Sequence, residues 1–174
     1  TVVIGVSALS ALTSGAGNVA VGYGAGKAIT TGAHNTVLGY GALDAADGAE
    51  SYNIAIGSSA MAADTTGEKN VAIGGGALTA NTTATRNVAV GHHALTANTT
   101  GTNNTAVGFE ALYTTATGPE NTAMGFMALK LNTSGGNTAF GYEALQNNSS
   151  AGYNVAVGYE ASNSGTTGAS NTAV

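Results

Sequence analysis

The stretch Asn104–Leu112 reads NTAVGFEAL. It returns as NTAMGFMAL at Asn121–Leu129 and as NTAFGYEAL at Asn137–Leu145. Upstream it appears as NVAIGGGAL at Asn70–Leu78 and NVAVGHHAL at Asn87–Leu95. Taking the recurrent Asn as position 1 places it at Asn18, Asn35, Asn53, Asn70, Asn87, Asn104, Asn121, Asn137, Asn154 and Asn171, with Thr1 in its place at the start. The steps are 17 residues, apart from one of 18 (Asn35 to Asn53) and one of 16 (Asn121 to Asn137). That is ten copies and the opening of an eleventh. Self-similarity at a fixed period marks a stacked architecture, because one short repeat cannot bury its own apolar face.

Each position in the copy has its own chemistry. Position 2 is always Val, Ile or Thr, and position 3 is Ala, or Val in Val3 and Val37. Position 4 is always large and apolar, from Ile4 to Val157. Position 5 is Gly throughout: Gly5, Gly22, Gly39, Gly57, Gly74, Gly91, Gly108, Gly125, Gly141 and Gly158. Position 8 is always Ala and position 9 mostly Leu, while positions 10 to 17 are rich in Asn, Thr and Gly.

Positions 2 to 4 therefore predict a short β-strand with alternating faces, and position 5 a turn that only glycine can make. A second short strand is expected over positions 7 to 9, and the polar segment closes the coil. Both length changes fall in that segment, so they map to one edge of the stack. A helix is excluded, since the apolar positions give no 3.6-residue stripe and every copy carries a glycine. The expected fold is all-β: a parallel β-solenoid of about ten 17-residue coils, forming a single domain over residues 1–174. At roughly 4.8 Å per coil, ten coils make a rod about 48 Å long.

Neither face of the strand is polar. One face carries large side chains at positions 2 and 4, and the other carries Ala. The alternation does not say which face is inside, but a thin coil has one interior, so the remaining face needs a cover. A second copy of the chain is the simplest one, and a homo-oligomer is expected. All 13 charged residues lie at position 7 (Glu110, Glu143, Glu160) or within positions 10 to 17, which are expected to be wet.

Composition narrows the function. Charged residues make up 7 % of the 174 and the net charge is −5 with four basic residues, which argues against a nucleic-acid partner. No cysteine is present, so neither disulfides nor thiolate metal sites arise. No apolar run has the length of a membrane span. The opening TVVIGVSALSALTSG has the apolar character of a signal segment, but it fits the repeat frame and reads as the first coil.

The phrase N-[TV]-A-[VI]-G-x-x-A, as at Asn18–Ala25, Asn70–Ala77 and Asn154–Ala161, resembles the head repeat of YadA-type trimeric autotransporter adhesins. With its longer loop it is also similar to repeats of phage tail fibres and of long bacterial surface fibres. The resemblance implies a left-handed β-roll, three chains bundled about an apolar axis, and a structural and adhesive role on an extracellular fibre at a bacterial cell surface. A virion tail fibre is the alternative attachment, and a monomeric ice- or surface-binding solenoid the alternative class. The period here is longer than in YadA-type heads. The abrupt ends of the repeat lead us to expect a segment of a longer fibre.

Position 6 carries a run of rings, Phe109, Phe126, Tyr142 and Tyr159, with Tyr23 and Tyr40 earlier. Such a ladder either stabilises adjacent coils, as cross-strand aromatic pairs do, or offers contacts to a host glycan. The segment Asp44–Glu50 lacks the oxygen-ligand spacing of a calcium loop, and it reads as a solvated loop. His92 and His93, as neighbours on a strand, would point to opposite faces and share no metal. Glycosylation triplets begin at Asn81, Asn98, Asn132 and Asn148, but they are the loop motif itself. No catalytic constellation is evident. Glu143 and Glu160, one coil apart, could form a carboxylate pair, yet both fall on an exposed position with nothing to shield them. No cofactor and no metal are expected.

Overall fold

The computed structural model describes residues 1–45, 48–164 and 168–174. Among these residues eleven strands follow in chain order: β1 (Val2–Ile4), β2 (Val19–Val21), β3 (Thr36–Leu38), β4 (Ile54–Ile56), β5 (Val71–Ile73), β6 (Val88–Val90), β7 (Thr105–Val107), β8 (Thr122–Met124), β9 (Thr138–Phe140), β10 (Val155–Val157) and β11 (Thr172–Ala173). They form one parallel sheet in which each strand pairs with its sequence neighbours. The register matches like with like, Ala89 against Ala106 and Val90 against Val107, for example. The 18-residue and 16-residue coils keep that register, since β3 pairs β4 and β8 pairs β9 position for position. The chain is a β-solenoid whose first coil is the apolar opening segment.

The small face is inside. Ala20, Ala55, Ala72, Ala89, Ala106, Ala123, Ala139 and Ala156 at position 3 are completely buried. Opposite them the lumen is filled by Ala at position 8 and by Leu43, Leu78, Leu95, Leu112, Leu129 and Leu145 at position 9. A leucine reaching across a coil this thin leaves room for a methyl group and little more. The large side chains at positions 2 and 4 are turned outward instead.

Among the described residues the expected second strand is absent. Positions 6 to 11 form consecutive turns, because positions 7 and 9 adopt left-handed backbone angles: Glu110 has φ 51°, Leu112 53°, Glu143 52° and Leu145 50°. An L-residue there carries a cost on the order of 1 kcal/mol. It is held by bonds between coils, Glu110 N–H to the His92 carbonyl at 3.0 Å and Leu112 N–H to the Ala128 carbonyl at 3.0 Å, and by burial of the leucine side chain.

Position 5 explains its glycine twice over. Gly108 has φ 138°, a region closed to other residues. A Cβ on it would also lie less than 3 Å from the Gly125 carbonyl oxygen of the next coil. The same contact recurs from Gly5 to Gly141, each against the glycine one coil further on.

The recurrent Asn forms a second spine. Asn18 to Asn154 are buried, and each side-chain Oδ1 accepts the backbone N–H of the Asn one coil later, as from Asn121 to Asn104 at 2.9 Å and from Asn104 to Asn87 at 2.8 Å. Most Nδ2 groups donate to a carbonyl fourteen residues on, as Asn104 does to Gly118 at 2.9 Å. The amide thus ties each coil to its own return segment and to the next coil. Buried amides satisfied at both ends stabilise; unsatisfied ones cost about 1–3 kcal/mol each.

Candidate functional site

Three surface or interior columns have chemistry to offer. The first is the position-6 ladder. Phe109, Phe126, Tyr142 and Tyr159 lie in one stack, with ring centroids 5.3, 5.1 and 5.1 Å apart and planes within 11° of parallel. His92 extends it, 5.7 Å from Phe109 at 6°. Tyr23 and Tyr40 form a separate pair at 5.4 Å. Parallel stacking closes the faces of the inner rings, so Phe109, Phe126 and Tyr142 present edges to solvent. Face-on binding of a sugar is blocked at those three rings. Hydrogen bonding to Glu143 holds the Tyr142 phenol above its ordinary pKa, and Glu160 does the same for Tyr159.

His92 was not recognisable as a rung from the sequence, where its signal was only its place in the frame. His93 was expected on the opposite face, yet the two rings meet edge-on at 4.0 Å. The pair sits in a turn rather than on a strand, and the left-handed φ of His93 (58°) turns its ring alongside its neighbour. Among the described residues no group of three or more metal-ligating side chains comes together.

The second column is the outer face of the sheet. Val19, Leu38, Ile54, Ile73, Met124, Phe140, Val155 and Val157 are all exposed, Leu38 at 44 % and Phe140 at 38 %. The position-4 side chains form an unbroken apolar stripe, flanked at position 2 by Val and Ile and by the half-buried Thr36, Thr105, Thr122 and Thr138. Its footprint, from about 48 Å of stack and one short strand's width, is on the order of 500 Å², at the upper end of what monomers leave open.

The third column lies inside and corrects the expectation that every charge is wet. Position 12 holds Asp64, Asn81, Asn98, Thr115, Asn132 and Asn148, all fully buried, and Glu50 is 1 % exposed. Asp64 Oδ1 accepts the Gly67 N–H and the Asn81 Nδ2, both at 2.9 Å. Burial, with a smaller contribution from Glu50, pushes its pKa up to about 7, against those hydrogen bonds. The glycosylation triplets at Asn81, Asn98, Asn132 and Asn148 are therefore inside the stack of the folded chain. Thr65, Thr82 and Thr99 donate their hydroxyls to carbonyls of the next coil, while the second threonine of each pair, Thr66, Thr83 and Thr100, is exposed. Of the Asp44–Glu50 segment, Ala46 and Asp47 lie outside the described residues. Asp44 pairs with Lys27 at 2.9 Å, and Glu50 is interior rather than solvated.

Of the position-7 carboxylates, Glu110 pairs with Lys130 at 2.7 Å. The described surface has no enclosed pocket, and among the described residues no helix is long and apolar enough to cross a membrane. The candidate sites are thus stripes along a rod. No protein-family model, no curated protein and no solved structure matches this chain.

Proposed function

We infer that the chain is a structural, adhesive section of an extracellular surface fibre, built by packing its outer apolar stripe against two further copies of itself. The observation that carries this reading is the division of side chains across the strand. Ala at positions 3 and 8 together with the position-9 leucines fills the lumen, so the outward-turned residues of positions 2 and 4 are not needed for the coil's own core. A continuous apolar stripe along the whole rod fits an equally long partner with the same repeat, and a second copy supplies that. Three copies about an axis follow the resemblance to YadA-type heads. The polar coil edges and the ring edges then face outward, where an adhesive surface belongs, and the role involves no catalytic step.

Light scattering after size exclusion tests the assembly. A mass near three times the 16.7 kDa chain is expected, falling to one chain when the stripe is charged by Ile73→Asp with Val90→Asp. A monomer at micromolar concentration would overturn the packed fibre.

A further inference from the structure

Two rungs are missing from the position-6 column. Between Tyr40 and His92 it holds only Ser58 and Gly75, and position 7 beside them holds Ser59 and Gly76. The result is a notch two coils tall. One wall is the Tyr40 ring, stacked on Tyr23 on one face and open on the other. It is 64 % exposed, against 39 % and 37 % for the sandwiched Phe109 and Phe126. The other wall is the exposed His92 ring, which rests on Phe109 with its far face toward the notch. His93 closes one side, leaning over Gly76 where a Cβ would collide with its ring.

Three coil rises separate the walls, about 14 Å. Allowing for the thickness of the walls, that height takes two rings at the spacing of the intact ladder. The floor asks for little polar chemistry. The Ser59 and Gly76 carbonyls accept the Thr79 and Thr96 hydroxyls at 3.2 and 3.0 Å. The Ser58 and Gly75 carbonyls accept the Gly76 and His93 N–H groups, both at 3.0 Å. What remains on offer is two ring faces and two serine hydroxyls. With a net charge of −5 an anion is disfavoured, while the Asp44 carboxylate beside Gly41 is neutralised by Lys27 and adds little.

We propose that this notch binds a planar aromatic ligand, neutral or cationic, whose rings take the places of the two absent rungs between Tyr40 and His92. A saccharide fits less well, because its equatorial hydroxyls need partners and the floor carbonyls are engaged. The proposal depends on the register of the coils and stands whether or not the chain assembles into a fibre.

The planar cationic dye thioflavin T is a suitable probe on the full chain. Stacking against His92 shifts its Hε1 proton resonance upfield by ring current, and the resonance is assigned with His92→Gln. Ser58→Tyr with Gly75→Tyr fills the notch and should weaken dye binding by about tenfold or more. Neither Ser58 nor Gly75 has a left-handed φ, so the backbone accepts both tyrosines, and the His92 ring, whose Cδ2 lies 3.3 Å from a Cβ on Gly75, gives way by a few tenths of an ångström. Tyr40→Ala removes a wall without touching the floor and should also weaken binding. An unmoved His92 resonance in the unaltered chain overturns the proposal, since a dye lying on the apolar stripe or capping Tyr159 would leave it in place. Unchanged affinity in the filled chain does the same. A cello-oligosaccharide that moves the His92 resonance while the dye does not would overturn the aromatic class.

Discussion

The coils from Asn87 onward and the coils between Asn35 and Asn87 use the same frame in different ways. In the later coils every column is filled: rings stack from His92 to Tyr159, and position 12 is Asn or Thr from Asn98 to Asn148. In the earlier coils the ring column gives way to serine and glycine, one coil is a residue longer, and two carboxyls, Glu50 and Asp64, are buried. Both regions keep the Asn spine and the glycine column without interruption. Those two columns are therefore what a coil requires, and the ring and position-12 columns are what it can vary. Repeat stability is close to a sum of coil and interface contributions, so the difference should appear as a difference in local stability.

The largest effect is expected where both regions are alike. Gly108→Ala forces a Cβ onto the Gly125 carbonyl at a φ reserved for glycine, and should cost about 4 kcal/mol or more. Gly57→Ala should cost the same in the irregular coils, and denaturant unfolding followed by circular dichroism measures both. A marked tolerance at Gly57 would break the claim that the column is indispensable.

Asn104→Ala comes next, at about 2–3 kcal/mol, since it orphans the buried Asn121 N–H and leaves the Gly118 carbonyl only the longer bond from Asn121 Nδ2 at 3.3 Å. Hydrogen exchange should show the Asn121 amide losing protection before those of distant coils.

Asp64→Asn separates the two regions. The folded pKa near 7 lies above the ordinary carboxyl value, so the fold favours the protonated form. The stability this group allows is fully present below about pH 4 and is lost as the pH rises through 7. Asparagine, already the residue at 81 and 98, should therefore stabilise the chain at pH 8 by about 2 kcal/mol and change little at pH 4. The linkage ceiling is near 4 kcal/mol, and local opening of the coil reduces it. Equal effects at the two pH values would mean that Asp64 is charged throughout.

The smallest effect belongs to the ring column. Phe126→Ala removes two stacking contacts and should cost about 1 kcal/mol, read as a small shift in the denaturation midpoint.

Much of this was legible in the repeat. The period, the parallel register and the glycine turn follow from ten near-identical phrases, because a column of identical residues has one arrangement in which like meets like. The two off-length coils could be placed at the edge for the same reason. The role of Asn was less accessible. Its recurrence was plain, but an Asn in a polar context reads equally well as a turn residue, and only the closed coil shows its amide bridging two segments fourteen residues apart.

The ring ladder could be read as a column but not as a closed stack, and His92 could not be seen as its end. The expected second strand failed because nothing in a leucine or a glutamate announces a left-handed backbone. That conformation exists only because the bonds between coils and the buried leucine hold it there.

The sequence by itself determined that this chain is a stack of coils and which residues share each column. The tertiary structure decided which side of each column faces inward. A strand's alternation is symmetric, placing Ala and the large residues on opposite faces without ranking them. The ranking comes from the width of the lumen, which Leu at position 9 already fills from across the coil. That leaves space for Ala inside and turns Val, Ile, Met and Phe toward whatever lies outside.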